Sequence, residues 1–315
     1  MRTFWAPGRV NLIGEFTDLR GGLVLPVAID LGVQLDVSAA AQTRLVSDAD
    51  APGWERYVDA VEAELAERGR PPVGIEGVVS STLPIGAGLS SSAALEVAVA
   101  LALCAVADFD VEPLELVVAA QRAELRAVGV PCGIMDQAAS MLARAGHALM
   151  LDTGSLEYDH VPLPPHVAVV VFDSGVRRRL EDSRYAERRR EVEAGHPARV
   201  RHIESENERV RTVVAILREP DVPRLRELGV LFAEGHASLR DDFEATIPEL
   251  DRLVELAIDA GAIAARMTGG GFGGSIVALV DRARADAFAR EVLARYGERG
   301  AAYVCEASDG ARELA

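Results

Sequence analysis

The chain contains no lysine: every one of its 33 basic residues is arginine. A P-loop needs the lysine of GxxxxGK[ST] and a protein kinase needs its strand lysine, so neither of those ATP sites exists here. Any phosphate site must be built from backbone N–H groups, arginine and metal. Cysteine is almost as scarce. Cys104, Cys132 and Cys305 stand without CxxC spacing, which argues against a disulfide framework or a zinc site and fits a reducing compartment. Long apolar runs are missing too. The longest uncharged one, 97–107, is too short to span a bilayer, and the first five residues lack the basic and apolar regions of a signal peptide. A cytoplasmic location is expected. Basic residues are also outnumbered by 49 acidic ones, and the formal charge of −16 argues against nucleic acid or an anionic membrane as the main partner.

What is present is a globular composition, 49% hydrophobic and 26% charged, over 315 residues, enough for two domains. The first half alternates strand and helix signals: an apolar run over 23–37, then Trp54, Tyr57, Val58, Val61 and Leu65 at helical spacing, then a strand over 74–80. Three helices are expected over 91–107, 113–128 and 134–144, the first buried on nearly every side. A hairpin over 149–163 and the cluster Pro162, Pro164 and Pro165 predict a boundary near 164, giving domains 1–164 and 165–315. The second half opens with an apolar strand over 167–172. It continues through charged helices over 181–260 and ends in strands around a glycine run and near Tyr303. The fold class is α+β.

Four segments carry chemistry. Pro84-Ile85-Gly86-Ala87-Gly88-Leu89-Ser90-Ser91-Ser92 follows a strand and opens a helix, where glycines and free N–H groups favour an anion. The same pattern fits a glycine turn with a serine N-cap, but three serines exceed what capping needs, and a spare hydroxyl can ligate Mg²⁺. The stretch from Pro7 and Gly8 through Arg9, Glu15, Phe16 and Asp18 suits the positioning of a polar ligand, and equally a surface hairpin with solvated charges. Glu124, followed by Gly133 and Asp136, puts two carboxylates twelve residues apart on successive helices, which can face one cleft, one toward metal and one toward a nucleophilic hydroxyl, and which equally fit ordinary surface acids. Asp136 also fits a dipole-stabilising acid of a first helical turn. Last, Gly269, Gly270, Gly271, Gly273 and Gly274 surround Phe272 directly before a strand, where so much lost backbone entropy implies a close approach rather than a linker. The arginines at 177–179 and 188–190 read as solvated faces.

In this order, APGRVNLIGEFTD, LVLPVAI, PIGAGLSSSAALE, CGIMDQ, GHALMLD, SLRDDFEATIPELD and MTGGGFGGS resemble the superfamily of galactokinase, homoserine, mevalonate and phosphomevalonate kinases, and the galactokinase family most closely. The resemblance runs nearly end to end. It implies an N-terminal domain like a ribosomal-protein domain, a ferredoxin-like C-terminal domain, and an active site in the cleft between them. It implies ATP as co-substrate, Mg²⁺ as metal, a sugar phosphorylated on its C1 hydroxyl, and a monomer or weak homodimer. It places Asp136 beside that hydroxyl, Arg9 beside the transferred phosphoryl group, and Gly86, Ala87, Gly88, Leu89, Ser90, Ser91 and Ser92 over the nucleotide phosphates. Ser92 or Ser91 with Glu124 would hold the metal, and Gly269, Gly270 and Gly271 would support the loop. Glu15, Asp18, Gly133 and Tyr185 would bind the sugar, and Trp54 would pack near adenine; Trp54 and Tyr185 fit plain helix packing as well.

The pattern also departs from the family. Phe16 stands where the family has histidine and Leu19 where it has tyrosine, the family's extension before APGR is absent, and the stretch 185–213 is short. Phe16 is therefore expected to read the sugar with an apolar edge, the alternative being that it packs inward and Glu15 alone holds that hydroxyl. N-acetylgalactosamine, arabinose or a 6-deoxygalactose stands as the rival acceptor. A non-catalytic sugar sensor is the rival of another class, against which Ser90, Ser91, Ser92, Glu124 and Asp136 all speak.

Overall fold

A computed structural model describes residues 1–47, 52–84, 86–129, 132–177, 183–297 and 299–314, of 183, 222 and 223 the backbone alone. Ile85, Pro131 and the arginines at 178 and 179 lie outside the described residues. Strand β1 (Arg2–Asn11) runs antiparallel to the long β3 (Pro26–Ala40), and their register shifts between Pro7 and Arg9. Pro7 has no N–H for the ladder, and Gly8 is so tightly backed that a Cβ would stand 2.6 Å from Leu89 O. That bulge re-aims Arg9.

The first sheet is completed by β4 (Arg44–Ser47), β5 (Gly74–Ser81) and β12 (Arg312–Leu314), in the order β12-β1-β3-β5-β4. Packed against it are α2 (Ser91–Val106) and α4 (Met135–Leu142), with α1 (Glu55–Glu67) and α3 (Pro113–Val128) packed on those helices and on each other. Helix α2 is buried on nearly every side, as its alanine, valine and leucine content requires. The expected hairpin forms as β6 (His147–Asp152) and β7 (Tyr158–Pro162), with β2 (Leu23–Val24) as its third strand.

The second sheet consists of β8 (Val167–Asp173), β9 (Ala264–Thr268), β10 (Ser275–Asp281) and β11 (Ala301–Cys305), antiparallel in the order β11-β8-β10-β9. With α8 (Pro248–Asp259) and α9 (Ala285–Tyr296) this is the βαββαβ succession of a ferredoxin-like unit. Between β8 and α8 it carries α5 (Ser183–Glu193), α6 (Pro197–Arg218) and α7 (Val222–Asp241). A cut at 164 falls between β7 and β8, yet the two halves are not separate packing units. Strand β12 covers the outer edge of β1, Ala307 bridges Ile29, and Val210, Val213, Leu217 and Phe232 join the first core. An open edge on β1 would expose a row of unpaired N–H and C=O groups, so the chain end is drawn back across the boundary.

Among the described residues no helix is long and apolar enough to cross a membrane. All three thiols are free. Burial pushes Cys104 up to about 11 and Cys305 up to about 12, so both pack as neutral side chains.

Candidate active site

Arg9, delivered by the bulge in β1, meets Asp136 in the first turn of α4. Nε donates to Oδ1 at 2.8 Å and Nη2 to Oδ2 at 2.7 Å, the fork geometry only arginine supplies. Nη1 donates to Gly88 O at 2.8 Å, so the same guanidinium grips the glycine loop. Ser90 Oγ donates to Asp136 Oδ2 at 2.5 Å. Arg9 is buried, whereas the Asp136 side chain keeps 28% of its surface open, enough for an incoming hydroxyl to reach it.

The loop preceding α2 turns through positive φ at Gly86, Gly88 and Ser90. Alternating left-handed residues aim successive N–H groups the same way and form an anion-binding concavity at a helix start. The N-cap alternative fails here, because Ser90 makes no side-chain cap and its hydroxyl is committed to Asp136. The three serines have separate surroundings: Ser91 is exposed, and Ser92 Oγ donates to Glu124 Oε1 at 2.9 Å.

The glycine run packs on this loop, as its composition implies. Ser275 Oγ donates to Ala87 O at 2.7 Å, and Cβ atoms at Gly269 and Gly274 would stand 3.4 Å from Gly88 O and 3.3 Å from Ala87 O. At Gly271, with φ of 68°, a Cβ would fall 2.3 Å from Ala245 O, so no larger residue fits.

Glu124 sits in a cluster that sequence reasoning found only in part. Gln137 Nε2 donates to Glu124 Oε2 at 2.7 Å and to the buried Glu96 Oε2 at 3.0 Å. Burial, and then the neighbouring charge of Glu124, push Glu96 well above the usual carboxylate range. A lone glutamate in the otherwise apolar α2 was the available signal for it. Asp18 and Gly133 also meet: a Cβ on Gly133 would fall 1.6 Å from Asp18 Oδ2. Burial, then the charge of Asp136, raise Asp18 to about 6, against the pull of Arg189 and Arg9.

The remaining expected residues have partners of their own. Glu15 is buried and faces Arg266 Nη2 at 2.9 Å, an arginine that sequence reasoning passed over although it stands alone in an apolar strand. Phe16 does not present an apolar edge to the cleft. Its φ of 66° turns the ring inward, where it stacks on Phe243 at 4.1 Å and lies 6.0 Å from Tyr185 and 6.5 Å from His202. An apolar ring at this position gains more from the second core than from water. Leu19 packs half-buried against the same core, as does Tyr185 on α5. Trp54 packs half-buried against the first core at the start of α1. Arg177 is not merely solvated: it donates to Asp173 Oδ2 at 2.7 Å, and its Cδ would stand 2.9 Å from a Cβ on Gly86, beside the glycine loop. Arg188 pairs with Glu191 and Glu244, both at 2.9 Å.

The inward turn of Phe16 has a measurable consequence. Phe16→Leu removes one ring of a stacked pair, worth about 1 kcal/mol beyond its buried area, and is expected to lower Tm by about 2 °C. The ratio of kcat/KM for galactose and D-fucose should stay within about 2-fold of the natural chain, because the ring lies off the cleft. A shift of that ratio with Tm unchanged would return Phe16 to the sugar.

Three family descriptions match the chain: "Galactokinase galactose-binding signature" over residues 2–39, "GHMP kinases N terminal domain" over 56–144 and "GHMP kinases C terminal" over 213–298. The chain is 38% identical to a galactokinase of Roseiflexus sp. (strain RS-1), covering 97% of this chain and 91% of that one. It is 35% identical to a galactokinase of Pyrococcus furiosus, covering 98% of each. Among solved structures, Lactococcus lactis galactokinase complexed with galactose superposes with a TM-score of 0.92 at 30% identity, covering 99% of this chain and 95% of that one. L. major mevalonate kinase, at 20% identity and a TM-score of 0.76 over 98% of this chain and 96% of that one, shares the fold.

Proposed function

The chain belongs to the galactokinase family, and on that premise we propose that the Arg9–Asp136–Ser90 constellation is where it phosphorylates galactose at the expense of ATP. The observation that carries this reading is the double hydrogen bond between Arg9 and Asp136 directly beneath the glycine loop. It sets a carboxylate for the acceptor and a cation for the transferred group within one contact of each other.

The reaction joins the sugar's C1 oxygen to the γ-phosphorus and breaks the bond from that phosphorus to the β-γ bridging oxygen, releasing ADP and one proton. Such a transfer depends on positioning and charge stabilisation more than on covalent chemistry. Asp136 accepts the C1 hydroxyl's hydrogen and aims its oxygen in line. The N–H groups of the loop at 86–90 receive the phosphates, and Arg9 faces the equatorial oxygens. Asp18, backed by Gly133, and Glu15 accept from sugar hydroxyls.

The oxygen donors at Glu124 and Ser92 suit Mg²⁺, which takes one or two protein oxygens and completes its shell with phosphates and water. Among the described residues no three His, Cys, Asp or Glu side chains form a closed metal cage, in keeping with a cation shared with nucleotide. When bound, the ion neutralises phosphate charge. Gln137 holds the far oxygen of Glu124 and thereby fixes which edge faces the loop. A cytoplasmic location fits such a substrate pair.

Incubation with ATP and Mg²⁺ against a panel of free aldoses, with the product's phosphate located by NMR, tests the reading. Galactose 1-phosphate is expected. ATP consumption indifferent to the sugar, or phosphate on another carbon, would overturn it.

A further inference from the structure

Among the described residues Arg266 is the largest side chain sealed from solvent, a cation in the middle of β9. Its space comes from Gly235 on α7, where a Cβ would stand 2.4 Å from Nη1. A buried cation is costly unless paired, and Arg266 is paired twice: Nη2 lies 2.6 Å from Glu206 Oε1 and 2.9 Å from Glu15 Oε2. The two carboxylates are treated differently. Glu206 has both oxygens engaged, Oε1 by Arg266 and by the Gly14 N–H at 2.9 Å, Oε2 by Arg209 Nε at 2.8 Å. Glu15 is close to the cation but takes no aligned side-chain hydrogen bond from it; what else faces its buried oxygens is the backbone N–H of Glu15 itself and of Gly269.

The surroundings of Glu15 are otherwise pinned. His202 Nε2 lies 3.1 Å from Glu15 O, Asn207 Oδ1 accepts from Leu23 N at 2.7 Å, and Thr268 Oγ1, two residues along β9 from Arg266, donates to Asn11 O at 2.9 Å. Three residues of α6, His202, Glu206 and Asn207, and one of β9, Thr268, thus hold the backbone at 11–23, while Arg266 alone supplies a cation to the Glu15 carboxylate.

We propose that Arg266, oriented by Glu206, is a positioning residue for sugar recognition: it favours the ionised form of Glu15, the form that accepts from sugar hydroxyls, and ties that carboxylate to the strand leading into the glycine run. The inference rests on the reading of Glu15 as a sugar ligand. Arg266 itself touches no substrate.

The groups facing the Glu15 carboxyl are Arg266 from β9, Glu206 from α6 and the backbone N–H groups of Glu15 and Gly269; His202 of α6 meets the Glu15 carbonyl, and Arg209 pairs with Glu206. Burial raises Glu15 to about 7, opposed by Arg266 and reinforced by Glu206. Burial holds His202 near 4, so it adds no charge at neutral pH. Glu206, despite its burial, is pulled to about 2, first by Arg266, and stays ionised throughout. The sign follows. A raised carboxyl is protonated below about 7, loses an acceptor there, and the galactose KM rises as pH falls through that value. Without the guanidinium the carboxyl stays protonated higher, and the same rise moves to more alkaline pH.

The test compares Arg266→Met, Glu15→Gln and the double variant in the full-length chain, with galactose and ATP varied separately from pH 6 to 9. Arg266→Met is expected to raise the galactose KM about 10-fold at pH 7, to change the ATP KM less than about 3-fold, and to shift the KM–pH profile upward. In the Glu15→Gln background the same substitution should change the galactose KM less than about 3-fold. Arg266→Lys keeps the charge without the fork; it should fall between the natural chain and Arg266→Met and retain the natural pH profile. Equal effects of Arg266→Met with and without Glu15, or a joint rise of both KM values, would overturn the proposal. If Arg266→Met does not fold, a Lys variant with a displaced pH profile does the same. Failure of the underlying reading looks different: Glu15→Gln alone would leave the galactose KM unchanged.

Discussion

Replacing Asp136 by asparagine is expected to lower kcat by at least ~100-fold while ATP binding is retained. Asp136 accepts two hydrogen bonds from Arg9 and one from Ser90. Asparagine keeps the shape but has one acceptor oxygen, and its amide N–H₂ would face a guanidinium that only donates. Arg9 therefore loses half of its fork, and the acceptor hydroxyl loses its carboxylate. The nucleotide side is touched less, since Arg9 Nη1 still reaches Gly88 O and the loop N–H groups are unchanged. Steady-state turnover with galactose, alongside calorimetric titration with ATP, separates the two halves. Near-normal turnover would remove Asp136 from the chemistry, and a loss of ATP binding as large as the loss of turnover would make its role structural.

The second large effect is expected at Glu124. Glu124→Gln should raise the Mg²⁺ concentration for half-maximal activity by about 10- to 100-fold, because a hard cation loses a charged oxygen. The structure adds a reason. Glu124 accepts from Ser92 on one oxygen and from Gln137 on the other, so a glutamine there must turn its N–H₂ toward one of two groups that already donate. Turned toward Gln137 it opposes another amide nitrogen; turned toward Ser92 it removes the oxygen beside the loop. Metal titrations at fixed ATP check this, with Mn²⁺-detected binding as a readout independent of turnover. An unchanged titration in both assays would refute the ligand role of Glu124.

These predictions fall on residues that the sequence had already singled out, and the reason is local. Helix α3 spans Pro113–Val128 because proline fixes its first turn and Gly129, with φ of 72°, ends it. The loop at 86–90 and the run at 269–274 announce close backbone approach through glycine itself, which no distant partner has to supply. Asp18 with Gly133, and Ser92 with Glu124, could be named because motif order carries their chemistry, although the short distances between them came only with the fold.

Elsewhere the outcome depended on what a side chain met across the chain. Arg9 and Asp136 are 127 residues apart, and the sequence could not say that Ser90 would join them rather than cap a helix. Phe16 lies between two sugar-facing candidates, yet its ring turns away because Phe243 offers it an apolar stack. Arg266 is a single cation in an apolar strand, unreadable until Glu206 and Glu15 arrive from a distant helix and the first segment. Glycine, proline and hydrophobic period constrain φ, ψ and exposure within a few residues, so the sequence by itself determined the elements, their order and the family chemistry. The direction of a side chain and the tolerance for a buried charge depend on partners brought together by packing, so which residues face the cleft, and which hold them there, only the tertiary structure decided.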